Sequence, residues 1–395
     1  MDTYSLEWQI GEIPFYFTPL AAWQDNLTLP TKLPFAAGLN ISTGSLVQKS
    51  LTETERALEQ AYLQGSIFSG MMEEEGLGRS YADDFLRFLL DEVSGDWLGT
   101  ANVLEIGCGT GYLLSRLRPH CASVLGIEPG GHSRSGAELH GVPILHDFFP
   151  SLRLTGPYDI VLSYCVLEHI QDPVSFLKST AALMRPGAFL LLAVPDCEPY
   201  IEGGDISMFW HEHWSYFTGD SLHRTLLAAG FELRDLRPAG FGGTIYAFAV
   251  KSVALGDAAE DLSLAVERHQ AFLARGKQAV SRFRDFLASA RCNCKTIGFY
   301  VPIRAINVLT VTGADLSSCR FFDDNRRLWG SYFPGIPIRI ENRGEWAGSP
   351  PDLTVIMSKT FGGKIQAELE ALGRDRSTRI LSWHEMFEDS SRQQQ

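Results

Sequence analysis

The sequence predicts an α/β protein whose main domain is a doubly wound parallel sheet, followed by a second and smaller α/β domain. Three observations support this class. A buried strand runs into a glycine turn at residues 103–111, apolar strands then alternate with helical segments up to residue 195, and apolar strands recur after residue 295. We therefore expect four parts, at residues 1–80, 81–252, 253–292 and 293–395.

The glycine turn predicts a nucleotide-type ligand. Gly107, Gly109 and Gly111 follow a run of apolar residues, and glycines at such a turn let the backbone approach a ligand closely. The spacing is G-x-G-x-G, whereas dinucleotide enzymes have G-x-G-x-x-G, and the acidic Glu105 precedes the first glycine. These two details favour S-adenosylmethionine over NAD as the cofactor.

The next strand ends supply further candidate cofactor contacts. A second apolar strand at 124–127 ends at an acidic residue that can accept hydrogen bonds from ribose hydroxyls, and an acid and an aromatic side chain at 147–148 could hold the adenine. A further strand is expected at 158–163, and ligands bind at the carboxyl edge of such sheets. The candidates are Glu128, Pro129, Asp147, Phe148, Ser163 and Tyr164.

The segment before the main domain suits an arm or lid. Residues 1–50 alternate aromatic and proline-containing pieces, and the apolar spacing at 51–64 predicts a helix. The glycine-flanked loop at 65–72 precedes a second helix at 81–93, and we weigh an active-site flap equally against a surface turn.

The order of motifs carries a family resemblance. "LEIGCGTG", "GIEP", "YDIVLSYCVLEHI" and "LMRPGAFLLLAVP" follow one another within residues 100–250. This order resembles the class I S-adenosylmethionine-dependent methyltransferases, which implies a Rossmann-like domain and S-adenosylmethionine as cofactor.

A dense polar and aromatic cluster, "FWHEHWSYF", lies at residues 209–217, after the apolar strand expected at 188–195. H-E-H lacks the H-E-x-x-H spacing of zincins, and histidines two apart cannot share one helical face, so we expect no metal site. A histidine beside a carboxylate suits general acid or base chemistry, the alternative being two histidines packed among tryptophans. The candidate catalytic residues are His211, Glu212 and His213.

The run "HEHWSYFT" resembles the "HEHLSYF" signature of the sugar C-methyltransferase family, which acts on nucleotide-linked keto sugars. By that resemblance Glu212 and His213 match the acid–base positions. A base would remove the proton beside a ketone, and the resulting enolate carbon would take the methyl group. On the acceptor side we expect Trp210, Tyr216 and His169.

The C-terminal third predicts a long connecting helix near 257–291 and then a smaller Rossmann-like domain. "FFDDNRRLWGSYFPGIPI" resembles the C-terminal domain of the same family, which holds substrate against the cofactor domain. That resemblance makes Arg304, Asn307 and Arg326 candidates for contacts with a nucleotide or phosphate, the alternative being surface arginines and a helix-capping asparagine.

Departures from the family leave the acceptor open. Family members generally begin with a cysteine-rich zinc-binding domain, which we expect to be absent or replaced because the first cysteine is Cys108. Trp210 stands where a tyrosine is common, and the turn at 300–305 is altered. The alternatives are O- or N-methylation of a sugar or small natural product, and a cofactor-binding pseudoenzyme that serves as an assembly partner.

The charge and hydropathy of the sequence limit the kinds of binding partner that we expect. With 34 basic and 47 acidic residues the net charge is −13, which disfavours a phosphate backbone as partner. The start of the chain lacks a signal-peptide pattern, and no long apolar run suits a membrane span. We expect a cytoplasmic protein acting on a small-molecule acceptor, with its oligomeric state left open.

Overall fold

The computed structural model describes residues 4–15, 19–22, 28–49, 51–64, 72–73, 75–240, 243–252, 261–373 and 378–383. The loop at residues 65–72, for which we weigh a flap equally against a surface turn, lies outside this part of the chain, apart from Met72, which is buried.

The described strands are, in chain order, β1 (Tyr4–Pro14), β2 (Lys32–Asn40), β3 (Leu46–Gln48), β4 (Asn102–Ile106), β5 (Ser123–Ile127), β6 (Ile144–Leu145), β7 (Tyr158–Tyr164), β8 (Met184–Pro195), β9 (Ser215–Tyr216), β10 (Phe231–Pro238), β11 (Thr244–Lys251), β12 (Ile297–Tyr300), β13 (Cys319–Phe322), β14 (Ile340–Glu341), β15 (Leu353–Ile356) and β16 (Arg379–Ser382).

The described α-helices are α1 (Thr52–Gln64), α2 (Gly76–Glu92), α3 (Gly95–Leu98), α4 (Tyr112–Leu117), α5 (His132–His140), α6 (Pro173–Ala182), α7 (Glu198–Gly203), α8 (Gly219–Ala228), α9 (Ser263–Asn293), α10 (Ile306–Thr312), α11 (Arg343–Gly348) and α12 (Gly362–Leu372). None of these helices is both long enough and apolar enough to cross a membrane.

The chain divides into two compact units. Unit 1 comprises Met1–Glu7, Ala37–Glu198 and Glu212–Glu267, and unit 2 comprises Trp8–Ala36, Pro199–His211 and Arg268–Gln395. The N-terminal segment expected as one part, residues 1–80, is thus shared by both units. The chain also leaves unit 1 after β8 and returns to it at Glu212.

Unit 1 is built on a seven-stranded sheet with the order β10-β11-β8-β7-β4-β5-β6. The strands from β8 to β6 are parallel, while β11 runs antiparallel to β8 and β10 antiparallel to β11. The carboxyl ends of β4, β5 and β7 therefore meet at one edge, where ligands of such sheets bind.

Both faces of this sheet are buried, which explains the nearly continuous apolar sequence of its strands. Along β4, Val103 packs on one side with side chains of α2 and α4, and Leu104 packs on the other with side chains of α6 and α8. Two layers of helices thus hold the strand ends in fixed positions.

Unit 2 contains a five-stranded parallel sheet with the order β14-β13-β12-β15-β16. Its core includes Tyr300, Phe322, Trp346, Ile356 and Leu369, all buried. The alternating strands and helices agree with the second α/β domain expected from the sequence.

A further sheet of four strands has the order β1-β2-β3-β9. Within unit 1, Ala37 of β2 pairs with Gln48 of β3, and Leu46 of β3 pairs with Tyr216 of β9. This pairing ties the aromatic end of the "HEHWSYF" run to the N-terminal strands.

Candidate functional site

A cavity of about 280 Å³ opens in unit 1 at the carboxyl ends of β4, β5 and β7. Its walls include the glycine turn, the acidic residues that follow β4 and β5, the loop after β6 and the loop after β7. Among the predicted cofactor contacts, those that line it are Glu105, Gly107, Gly109, Glu128, Pro129, Asp147, Phe148 and Tyr164.

The turn after β4 requires glycine for conformational and steric reasons. Gly107, Gly109 and Gly111 have φ values of 75°, 55° and 77°, in the left-handed region that other residues rarely adopt. A β-carbon at Gly107 would lie 2.3 Å from Cγ2 of Val166, and one at Gly111 would lie 2.6 Å from Cγ2 of Val142. The backbone at 107–109 lines the cavity, where the absence of side chains at Gly107 and Gly109 leaves it accessible to a ligand.

Glu128 is held in place by the turn itself. Its Oε2 accepts a hydrogen bond from the Gly109 amide at 3.2 Å, and its Oε1 accepts one from the Gly130 amide at 2.8 Å. The carboxylate is therefore fixed at the end of β5, where ribose hydroxyls of a nucleoside are expected.

Glu105 supplies a second acidic group on the same wall. It is 3% exposed, and burial together with the nearby Glu128 raises the pKa of its carboxyl well above the usual range. Its Oε2 has no hydrogen-bond partner among the described residues. A buried polar atom without a partner is costly, so this oxygen is suited to a polar group of the cofactor.

Asp147 and Phe148 lie at the mouth of the cavity, after β6. Asp147 accepts hydrogen bonds from the Ser151 hydroxyl at 2.6 Å and from the Phe148 amide at 2.9 Å, and the Ser151 bond contributes most to lowering its pKa. The Phe148 ring is 45% exposed. An exposed aromatic ring at a cavity mouth can stack on a purine.

The remaining candidates for the cofactor lie in or beside the same strands. Ser163 is buried within β7, and Tyr164 ends that strand and lines the cavity. The next residue, Cys165, also lines the cavity and has a φ of 52°, an uncommon conformation for a residue with a β-carbon. Strained backbone of this kind clusters at functional sites.

A polar cluster formed by Tyr62, His169 and Glu212 also lines the cavity. His169 Nδ1 lies 2.9 Å from the carbonyl oxygen of Glu212 and 3.2 Å from the Tyr62 hydroxyl. The Tyr62 hydroxyl donates to the same carbonyl at 3.4 Å. A carbonyl oxygen can only accept a hydrogen bond, so the His169 ring carries its proton on Nδ1. The side chains or main chain of all three residues line the cavity.

Burial shapes the protonation of this cluster. Burial lowers the pKa of His169 to about 4, so its imidazole is neutral at pH 7. Burial, with the negative charge of Glu212 and Glu168, raises the pKa of Tyr62 well above 10, so its hydroxyl keeps a proton to donate. Burial also raises the pKa of Glu168 to about 8.

The three residues predicted as catalytic fall into different surroundings. Glu212 and His213 belong to unit 1, where the His213 ring packs edge-on against His169 with centroids 4.9 Å apart. His211 belongs to unit 2, where its Nε2 lies 3.2 Å from the Leu33 carbonyl and its ring lies 5.5 Å from Phe35.

The predicted acceptor contacts are also distributed. His169 lines the cavity, Tyr216 is fully buried in β9, and Trp210 is buried in unit 2. In unit 2, Asn307 donates a hydrogen bond to the Phe209 carbonyl. The guanidinium groups of Arg304 and Arg326 lie over the rings of Tyr200 and Trp329, at 5.4 Å and 5.8 Å from the ring centroids.

Sequence reasoning missed two members of the polar cluster. Tyr62 lies on α1, where the sequence shows only the apolar spacing of a helix. No motif near Tyr62 indicates a functional role for its hydroxyl. Glu168 lies next to the predicted His169 in "VLEHI", and the acidic neighbour of a candidate histidine was the signal that could have identified it.

Comparison with known proteins identifies a methyltransferase domain in the chain. Residues 74–236 match the family model described as "Methyltransferase domain". The chain is 25% identical over 283 residues to the C-methyltransferase NovU of Streptomyces niveus, covering 67% of each protein. It is 30% identical over 152 residues to a ubiquinone biosynthesis O-methyltransferase of Aeromonas salmonicida, covering 34% of this chain and 64% of the relative.

Among solved structures, the chain is similar to the N-methyltransferase NodS of Bradyrhizobium japonicum in complex with S-adenosyl-L-homocysteine. The identity is 15%, the TM-score is 0.38, and the match covers 50% of this chain and 98% of NodS.

Proposed function

Because the chain is an S-adenosylmethionine-dependent methyltransferase, we propose that it methylates a carbon of a nucleotide-linked keto sugar or a related metabolite through an enolate. The observation that carries this proposal is the position of Glu212. This residue of the H-E-H motif lines the same cavity as Gly107 and Gly109. A carboxylate at that position can remove a proton next to the expected methyl donor.

The extent of the sequence matches supports carbon as the methylated atom. The match to the C-methyltransferase NovU covers 67% of this chain, more than the 41% that the methyltransferase domain at residues 74–236 represents (163 of 395). The match to the Aeromonas O-methyltransferase covers only 34% of the chain. Similarity to the C-methyltransferase thus extends beyond the cofactor-binding fold.

The residues of the cofactor half have separate tasks in this proposal. The backbone at Gly107 and Gly109 admits the cofactor, Glu128 receives its ribose hydroxyls, and Glu105 offers a buried oxygen to a polar group. Bound S-adenosylmethionine supplies an electrophilic methyl group on a sulfonium. The cavity walls exclude water from that centre and align the acceptor with it.

The polar cluster is proposed to remove the acceptor proton and to stabilise the resulting enolate. Glu212 is proposed as the base that removes the proton beside the ketone, and Tyr62 donates a hydrogen bond to the oxygen on which negative charge develops. His169 fixes the main chain at Glu212 through its Nδ1 proton. In unit 2, contacts of Arg304, Asn307 and Arg326 with a nucleotide or phosphate remain part of the proposal.

O-methylation is the second candidate, and the matches to ubiquinone biosynthesis O-methyltransferases at 26–30% identity favour it. In that reaction Glu212 would remove a proton from a hydroxyl group, and no carbon acid would be needed. The two candidates therefore differ in whether a C–H proton of the acceptor exchanges with solvent.

The test uses the intact protein with S-adenosylhomocysteine, which occupies the cofactor site without a methyl group to transfer. A panel of nucleotide-linked keto sugars is incubated in heavy water, and exchange of the proton beside the ketone is followed by NMR. We expect exchange with at least one sugar, and a loss of at least tenfold in rate for Glu212→Gln. The exposed Glu232→Gln is the matched control.

Methylation of a hydroxyl acceptor without any exchange would overturn carbon transfer in favour of O-methylation. If the rate of proton exchange is unchanged in both Glu212→Gln and the control, Glu212 is not the base.

A further inference from the structure

Glu168, His169 and His213 form a cluster with the donor set of a metal site. One ligand atom from each residue, a carboxylate oxygen and two imidazole nitrogens, can be chosen so that all three lie within 4.8 Å of one another. We propose that this cluster, called the EHH cluster below, binds a divalent first-row transition metal such as Zn²⁺. The H-E-H motif alone did not predict it, because two of the three ligands come from the loop after β7.

The orientation of His169 is the first argument. Its Nδ1 donates a proton to the Glu212 carbonyl at 2.9 Å, so its Nε2 carries a lone pair. Histidines that bind metals almost always donate their other ring N–H to a carbonyl or carboxylate in this way. The tautomer required of a metal ligand is thus already fixed by the main chain.

The group that faces this lone pair is the second argument. His169 Nε2 lies 3.9 Å from Oε1 of Glu168, too far for a hydrogen bond. The space between the nitrogen lone pair and the carboxyl oxygen is therefore not bridged by a direct hydrogen bond. A cation placed there could be bound by both atoms.

The burial of Glu168 is the third and independent argument. The residue is 1% exposed, and its Oε2 has no hydrogen-bond partner among the described residues. Within the described chain, the basic group at ion-pair distance from it is His169, and the thiol of Cys165 lies beside the carboxylate. Burying a carboxylate without full compensation is costly, and coordination of a cation offsets that cost.

The donor set selects the metal. Two imidazoles and one carboxylate suit Zn²⁺ and its first-row neighbours, whereas Mg²⁺ and Ca²⁺ prefer oxygen ligands. With metal–ligand distances of about 2.0–2.2 Å, neighbouring ligands in a tetrahedral site lie about 3.4 Å apart. The 3.9 Å between His169 and Glu168 would shorten by about half an ångström, and the other ligand separations, which are at most 4.8 Å, by up to about 1.4 Å.

Three protein ligands leave a fourth position for water or an oxygen of the acceptor. His169 is the ligand that also lines the cavity, so an ion on its Nε2 would lie beside the acceptor end. This catalytic role rests on the proposed function: the ion would polarise the ketone oxygen, His213 would be a ligand, and Glu212 would remain the base.

The experiment measures metal binding directly on the full chain, with no acceptor present. Protein stripped with a chelator is titrated with ZnCl₂ by calorimetry, and with CoCl₂ while the visible absorption of tetrahedral cobalt is recorded. We expect one strong site per chain for both ions and no comparable binding of Mg²⁺. Glu168→Gln and His213→Ala should each weaken zinc binding at least tenfold.

The exposed His120→Ala is the matched control for loss of a histidine and should bind as the wild type does. Circular dichroism checks that each variant folds. If His213→Ala does not fold, the result is decided by Glu168→Gln, which preserves the shape of the side chain. Absence of a strong site in the wild type, or equal binding by Glu168→Gln, would overturn the inference. Proton exchange without metal binding would refute metal binding by the EHH cluster and leave the proposed function standing. Metal binding without proton exchange would refute the proposed function and leave the metal site standing.

Discussion

Replacing Gly107 with alanine tests the cofactor site at its most constrained point. The residue has a φ of 75°, where an added β-carbon costs about 1–2 kcal/mol. The same β-carbon would lie 2.3 Å from Cγ2 of Val166, so the turn must move by about 1 Å to restore a contact near 3.5 Å. Since that turn lines the cavity, we expect the affinity for S-adenosylmethionine to fall by roughly 30- to 100-fold, or about 2–3 kcal/mol.

Calorimetric titration with S-adenosylmethionine measures the affinity, and thermal unfolding measures the stability. Gly187→Ala is the matched control, because Gly187 also has a φ of 75° but a β-carbon there would meet no atom within 4 Å. The control should lose about 1–2 kcal/mol of stability from backbone strain alone and keep its affinity. Binding by Gly107→Ala within threefold of the wild type would refute the placement of the cofactor against this turn.

Three further predictions concern single side chains. Glu128→Gln should weaken S-adenosylmethionine binding about tenfold, because the amide keeps one acceptor for the Gly109 and Gly130 amides and loses the charge; unchanged calorimetric affinity would contradict this. Tyr62→Phe should lower kcat about 10- to 100-fold while leaving cofactor affinity within threefold, as measured by steady-state kinetics and titration; an unchanged kcat would exclude its hydroxyl from catalysis. Burial raises the pKa of Asp323 from 3.8 to about 6, so the stability it contributes is full below pH 4 and lost as pH rises through 6. Asp323→Asn should therefore gain about 2 kcal/mol of stability relative to the wild type between pH 4.5 and pH 8 in thermal unfolding, and an equal difference at both pH values would contradict that pKa.

The positions of the candidate cofactor residues were largely predictable from sequence because their signals are local. The glycine turn, Glu128 at the end of β5 and Asp147 after β6 each follow a strand within a few residues, and parallel strands bring their carboxyl ends to one edge. Once the strands were recognised, the position of these side chains followed from the topology of the sheet.

The acceptor half was less predictable because its members come from distant segments. Tyr62 is 107 residues from His169 and 150 residues from Glu212, yet its hydroxyl is within hydrogen-bond distance of both. No local pattern encodes such a meeting. His211 illustrates the same limit, since this residue, whose side chain is buried in unit 2, directly precedes Glu212, which lines the cavity of unit 1.

The bounds of two strands differ from those that the sequence pattern predicts. The apolar sequence at 142–145 predicts a strand of four residues, whereas β6 comprises only Ile144–Leu145. The proline-glycine sequence at 185–187 predicts the end of a helix with a strand from residue 188, whereas β8 already begins at Met184. In β8 the strand begins early because Met184 pairs with Tyr158 of β7. The helix before this sequence does end as expected, at Ala182, and pairing with a distant strand sets where β8 begins.

The most direct test of the central claim is the position of the transferred methyl group. The protein is incubated with S-adenosylmethionine carrying a ¹³C methyl and with the nucleotide-linked keto sugars that show exchange, and the product is analysed by NMR. Carbon transfer predicts a labelled methyl coupled to a ring carbon, with the proton beside the ketone lost. A labelled methyl attached only to oxygen or nitrogen, whichever acceptor is active, would contradict it.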